Sequence, residues 1–349
     1  MRQALEAAMA AKRVKGLAAS TLSGYQQHLD SYIYPELGDR PIGGLTAQVL
    51  RDRYAEILAT NPARIARGEH TIDRATVHAI HCTVRSLLSV VAKDGVHLTR
   101  NPARDVEFGH RHKKAIKVWG AEQLGAFLDF TEKIDDHMVV AWHIMICLGL
   151  RRGELCGLRW SYIDLDTGVV TIPSDKDATR IVVRNKAQGS APKTPGSAAA
   201  LVLDAATLAA VRRHKARQAG WRLAAGRFWR DEVGMVLTYE DGRPCHPDSV
   251  SQRFKRLAAR ACLPEIPLKN LRHSSATHGL NSGAEDIFAV SRRLRHSSTR
   301  ITSEFYAGET PVLNAAAAEA RSAAIPRARP PHPAPHPTQG DEGVGAETG

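Results

Sequence analysis

The stretch from Met138 to Leu150 is apolar on every side except at His143, and it stops at a pair of arginines. A helix without a polar face belongs inside a protein, so Met138 to Cys147 is expected to form a buried helix. It falls short of the roughly 20 apolar residues that a membrane span needs. Directly after it, Gly149-Leu150-Arg151-Arg152-Gly153-Glu154-Leu155 breaks the apolar pattern with charge, and Leu155 and Leu158 resume it. An unpaired charge at the edge of a core is costly. Arg151 therefore pairs with Glu154 or Asp164, or it faces an anion brought from outside.

The rest of the chain indicates which anion. Against 36 acidic residues there are 48 Lys and Arg, a formal charge of +12, and the pI is near 9.7. Such a balance favours a polyanion, because each neutralised phosphate releases condensed counterions. Nucleic acid leads. RNA is disfavoured because only 5% of residues are aromatic, a poor supply of base-stacking platforms. The N-terminus, Met1-Arg2-Gln3-Ala4-Leu5-Glu6, lacks the apolar core of a signal peptide, so a cytoplasmic protein without a membrane partner is expected. Cys82, Cys147, Cys156, Cys245 and Cys262 are odd in number and form no Cys-x-x-Cys pair, which points to reduced thiols and no structural zinc.

From about Leu17 to Pro102 the pattern is helical. Leu22, Tyr25 and Leu29 share one face, Leu50, Tyr54, Ile57 and Leu58 another, and Val77, Ile80, Val84, Leu87, Leu88 and Val91 make a long stripe. Pro35 to Pro41 and Asn61-Pro62 read as turns. Residues 1–108 are thus expected to be a helical domain, followed at 109–118 by a basic linker in which Lys113, Lys114 and Lys117 are candidate phosphate contacts.

A second domain, 119–325, is expected to open with a helix near Ala121. Between Gly168 and Asp204 the runs Val169–Ile172, Arg180–Val183 and Ala200–Leu203 predict a small antiparallel sheet with Lys193 near a hairpin tip. Thr207 to Ala224 reads as a helix with a basic face made by Arg212, Arg213, His214, Lys215 and Arg217. Another helix starts at Pro247 with Asp248 or Ser249 as its cap. Pro311 to Ala324 is expected to form an alanine-rich helix, and 326–349 is expected to be disordered. The fold class is mainly α with a small antiparallel β-sheet.

Near the end of the foldable part, Leu294-Arg295-His296-Ser297-Ser298 and a Thr/Ser-rich run lead to Tyr306. A free phenol has a pKa of about 10, so Tyr306 attacks a phosphate only where cations stabilise the developing charge. Arg151, Lys193 in Pro192-Lys193-Thr194, and Arg272 in Leu268-Lys269-Asn270-Leu271-Arg272-His273 are expected to converge on it.

These motifs, in this order, resemble those of the tyrosine recombinases, the phage-type integrases, from about Leu17 to Ala320. The resemblance implies a helical core-binding domain joined to an α+β catalytic domain. It also implies double-stranded DNA as partner, a homotetramer on paired sites, and a 3′-phosphotyrosyl intermediate formed without metal, cofactor or small-molecule substrate. By that resemblance Arg151 and Arg272 clamp the scissile phosphate, Glu154 supports Arg151, Lys193 protonates the departing 5′ oxygen, His296 bonds the phosphate, and Tyr306 is the nucleophile. Lys269 stands where histidine is usual and is expected to act as a further phosphate cation, with acceptance of the tyrosine proton as the alternative role. Arg295 stands where glycine is usual, so the turn there is expected to differ. No β-rich segment precedes Leu17, so an arm-binding domain is not expected. A non-cutting DNA-binding protein of the same fold and a type IB topoisomerase-like enzyme are the alternatives.

Overall fold

In the computed structural model of the chain, residues 1–93, 95, 97–109, 115–173, 178–183, 186–190, 199–231 and 233–295 are described. The alanine-rich segment Pro311 to Ala324 and the tail 326–349 lie outside them.

The helical half contains α1 (Arg2–Val14), α2 (Ala19–His28), a π-helical turn (Leu29–Ile33), α3 (Tyr34–Leu37), α4 (Ala47–Ala59), α5 (Asn61–Ala66) and α6 (Arg74–Val91). Thr46 and Asp73 cap α4 and α6, accepting from the N–H groups of Val49 (3.3 Å) and Thr76 (2.7 Å). All six residues of the α6 stripe are buried, together with Leu50, Tyr54 and Ile57 of α4. Ahead of the first predicted helix, α1 buries Leu5, Ala8 and Met9 and packs on α6. Beyond α6, Asn101 ties the chain back: its Nδ2 donates to Arg85 O (2.9 Å) and Ser89 Oγ (2.8 Å).

The second half contains α7 (Ala121–Lys133), α8 (Val139–Leu148), α9 (Arg152–Gly157), β1 (Val169–Ile172), β2 (Thr179–Val183), β3 (Lys186–Ser190), β4 (Ala199–Val202), α10 (Ala205–Ala225), α11 (Pro247–Arg260), α12 (Leu268–Asn281) and α13 (Ile287–Arg293). As its apolar circumference requires, α8 lies at the centre, in contact with α7, α9, α10 and α12. Trp119, Phe127 and Phe254 pack beside it in tilted and edge-on arrangements with ring centroids 5.2–5.3 Å apart, and the Trp119 indole donates to Pro264 O (2.9 Å). No helix among the described residues is long and apolar enough to cross a membrane.

The strands form two antiparallel ribbons. β1 pairs with β4, Val169 opposite Val202, and β2 pairs with β3, Thr179 opposite Ser190. The sequence predicts three strands in one sheet; β3, Lys-Ala-Gln-Gly-Ser, carries none of the β-branched signal and owes its extension to pairing with β2. Helix α9 lies against the start of β2. A Cβ on Gly157 would stand 2.6 Å from Ala178 O, so only glycine permits this approach.

Two local expectations are corrected by tertiary contacts. His214 of α10 is 3% exposed and bonds Val236 O (2.8 Å), so it leaves the basic face and joins the core. The cap of α11 is His246, whose Nδ1 accepts from Asp248 N (3.2 Å), while the Asp248 carboxylate holds Arg152 at 2.7 Å.

Candidate active site

The site begins where α8 ends. The last carbonyls of a helix have no partner within it, and here side chains from elsewhere in the sequence take them. Ser275 Oγ of α12 donates to Ile146 O (2.6 Å), Arg293 Nη1 of α13 to Cys147 O (3.3 Å), and Arg272 Nη1 of α12 to Gly149 O (2.5 Å). Gly149 terminates α8 in the left-handed region, φ +61°, and a Cβ there would meet Leu294 Cδ2 at 2.5 Å. The C-terminus of α8, the middle of α12 and the end of α13 are therefore locked together.

Arg151 leads into α9. Its N–H donates to Glu154 Oε2 (2.7 Å) and its Nη1 to Glu154 Oε1 (2.9 Å). The anion that Arg151 requires is thus supplied by Glu154, three residues on. Asp164 instead caps its own turn, accepting from Asp166 N (2.8 Å) and Thr167 N (3.2 Å).

The two guanidinium groups meet on consecutive carbonyls. Arg272 Nη2 donates to Leu294 O, and Arg151 Nη2 donates to Arg295 O (3.4 Å). Arg272 is buried, whereas the Arg151 side chain remains 31% exposed. Glu154 serves a second arginine as well, because Arg295 Nη2 donates to its Oε2 at 2.5 Å. At this position the turn is left-handed, with Arg295 at φ +53°.

Lys269 lies on α12, exposed, one turn before His273. Burial lowers the His273 pKa, and the charges of Arg272 and Lys269 lower it further. Lys117 is exposed, and its carbonyl accepts from Asn270 Nδ2 (2.9 Å), which fastens that part of the chain to α12. Arg151, Glu154 and Arg272 are thus brought together, with Lys269 and Lys117 flanking along α12. Lys113, Lys114, Lys193, His296 and Tyr306 lie outside the described residues.

Sequence reasoning missed several groups. Ser275 and Arg293 carry no local sign of their bonds to α8, and Arg295 was noted only as a departure from glycine. In the helical half, Lys12, Lys15, Arg85, Lys93 and Arg104 line a pocket of about 480 Å³ between α1 and α6. None of the five forms an ion pair among the described residues. A signal existed: Arg85, Ser89 and Lys93 recur at four-residue spacing opposite the apolar stripe of α6.

A helical half, a second helical half with antiparallel ribbons, and two arginines gathered beneath the chain that leads to a tyrosine are the features of a tyrosine recombinase. The chain belongs to the phage integrase family, the tyrosine recombinases, which it matches over residues 117–311. It is 28% identical over 245 residues to the tyrosine recombinase XerC-like protein of Caldanaerobacter subterraneus subsp. tengcongensis, covering 66% of this chain and 61% of that protein. It is 25% identical over 298 residues to tyrosine recombinase XerC of Xylella fastidiosa, covering 82% and 86%. Among solved structures, the Tn1549 transposon integrase in complex with a circular intermediate DNA has the same fold, with a TM-score of 0.68 and 17% identity over 90% of this chain and 98% of that one. A lambda integrase tetramer bound to a Holliday junction gives a TM-score of 0.60 at 17% identity over 87% and 76%.

Proposed function

We propose that this chain is a site-specific recombinase, or integrase, that cleaves and rejoins double-stranded DNA through a 3′-phosphotyrosyl bond to Tyr306. The observation that carries it is the fastening of Arg151 and Arg272 to the successive carbonyls of Leu294 and Arg295, immediately before His296. Planar guanidinium groups held there match the oxygens of one phosphate. In this reading Tyr306 Oη gives up its proton to solvent as it attacks phosphorus, and the P–O5′ bond breaks, the 5′ oxygen taking a proton from Lys193. Arg151, Arg272, Lys269 and His296 stabilise the extra negative charge, and Glu154 orients Arg151. Positioning and electrostatics supply the catalysis, so neither metal nor nucleotide energy is required.

In the same reading residues 1–108 and 119–325 are two domains that close around the duplex, joined by 109–118. Lys113, Lys114 and Lys117 and the pocket between α1 and α6 contact phosphates. The reaction takes place in the cytoplasm on paired sites bound by four copies. Support for four copies is the lambda integrase tetramer on a Holliday junction, which shares the fold.

A nicked suicide duplex that loses its 5′ fragment on cleavage tests the proposal by trapping protein on DNA. The wild type is expected to form the adduct in excess EDTA, and Tyr306→Phe is expected to bind equally well and form none. An adduct with Tyr306→Phe would remove that residue from the nucleophile role, and cleavage that needs added magnesium would point to metal-assisted chemistry.

A further inference from the structure

Arg295 is an expensive residue for its place. At φ +53° it holds a backbone conformation that glycine reaches freely and that strains other L-residues. Its side chain is 1% exposed. Burial lowers its pKa, an effect that the Glu154 charge opposes and the Arg151 charge reinforces. Its Nε and Nη1 are buried without a hydrogen-bond partner among the described residues. Glycine at this position would avoid the left-handed strain, the buried cation and the two nitrogens that lack partners among the described residues.

What Arg295 changes is the company of Arg151. A carboxylate facing a single arginine can take it as a fork, through two parallel N–H···O bonds. Here the carboxylate is divided: Glu154 Oε1 accepts from Arg151 Nη1, and Oε2 accepts from Arg295 Nη2 and the Arg151 N–H. Arg151 is consequently gripped by Glu154 through one side-chain nitrogen, and its partly exposed guanidinium keeps donors for an incoming oxyanion.

We propose that Arg295 is a positioning residue for DNA cleavage: by occupying Glu154 Oε2 it prevents the carboxylate from capturing Arg151 as a fork, and so holds the Arg151 guanidinium open to the scissile phosphate. The inference rests on the reading that Arg151 clamps that phosphate. Arg295 does not itself touch DNA; it acts through Glu154 and Arg151.

The test is single-turnover adduct formation on the suicide duplex at saturating DNA, alongside the Kd of the same duplex, for wild type, Arg151→Ala, Arg295→Gly and Arg295→Lys. Arg295→Gly suits the backbone and is expected to form adduct about tenfold more slowly with Kd within about twofold of wild type, because orientation of Arg151 matters most in the transition state. Arg295→Lys, which keeps a charged donor for Oε2, is expected to recover to within about threefold of wild type. A purely structural role would leave the rate at saturation unchanged in Arg295→Gly, and that result overturns the proposal, as does a lysine variant as slow as the glycine variant. Should Arg295→Gly lose its thermal unfolding transition, Arg295→Met removes both the charge and the donor for Oε2 while keeping an unbranched side chain, and carries the same expectation. Absence of adduct with wild type, or an undiminished rate in Arg151→Ala, would sink the underlying role of Arg151 and is thereby distinguished from failure of the Arg295 proposal.

Discussion

Arg151, Arg272 and Arg295 in the second half and Lys15, Arg85, Lys93 and Arg104 in the first are all cations, yet their surroundings are opposite. The first three are wholly or partly buried, and each is fixed to carbonyls or a carboxylate by contacts that span up to 144 residues of sequence. The other four are exposed on a pocket wall without ion pairs among the described residues. Fixed cations provide geometry, the currency of phosphoryl transfer, because a group already held in place needs no reorganisation as charge develops. Exposed cations provide additive, salt-sensitive attraction to a polyanion. Chemistry and affinity should therefore be separable by mutation.

The largest effect is expected for Arg272→Ala, which removes a phosphate cation and also leaves Gly149 O and Leu294 O without its donors. Adduct formation should fall by on the order of 10²–10³, and urea unfolding should show a loss of about 1–3 kcal/mol. A rate within tenfold of wild type would mean that Arg272 serves only as a helix cap.

Glu154→Ala sharpens the comparison from the side of stability. It strands the buried Arg295 without its carboxylate, and losing one partner of a buried pair costs about 3–5 kcal/mol. Arg213→Ala, which breaks only the exposed pair with Glu132 and leaves Glu132 on His143, is the control and should cost well under 1 kcal/mol. Equal losses in urea unfolding would contradict the distinction between fixed and exposed cations.

The first half tolerates cations on its surface and rejects one inside. His81 is buried against Tyr54 and Phe108, and its pKa is pushed down to about 4, first by burial and then by His78 and Arg85. Its folded value lies below the unfolded one, so the unfolded chain binds the extra proton between the two. Stability is then full above about pH 6.5 and declines as pH falls toward 4. From pH 7 to pH 5 this residue should account for a loss of about 2 kcal/mol, which His81→Phe would remove. An unchanged acid slope in that variant would show that His81 is protonated in the fold.

For the pocket the expected effects are the smallest singly. Lys15→Ala, Arg85→Ala and Lys93→Ala should each lower the slope of log K against log salt by about 1, alike on specific and unrelated duplexes. A loss confined to one DNA sequence would instead assign that side chain to base recognition.

What could be read from the sequence was whatever a short window contains. The stripe of α6 and the all-round apolar run of α8 each show within a few turns, and the Arg151–Glu154 pair spans three residues, so each was legible. Helix α1 was not, because its buried face is built largely from Leu5, Ala8 and Met9, and alanine adds little contrast to a stripe. Strand β3 was hidden because pairing with β2, not its own residues, extends it. The divided carboxylate was out of reach altogether: Glu154 and Arg295 are 141 positions apart, and only the packing of α8, α12 and α13 brings them together.

Separability itself is measured most directly by comparing Arg151→Ala with the combined Lys15→Ala, Arg85→Ala and Lys93→Ala variant, recording for each the Kd for duplex DNA and the single-turnover adduct rate at saturation. The fixed-cation variant should keep its Kd within a few-fold and lose adduct formation by at least about a hundredfold. The pocket variant should bind more weakly at every salt concentration and, once saturated, cleave at the wild-type rate. Parallel loss of affinity and rate in both variants would contradict the division of labour between the two sets of cations.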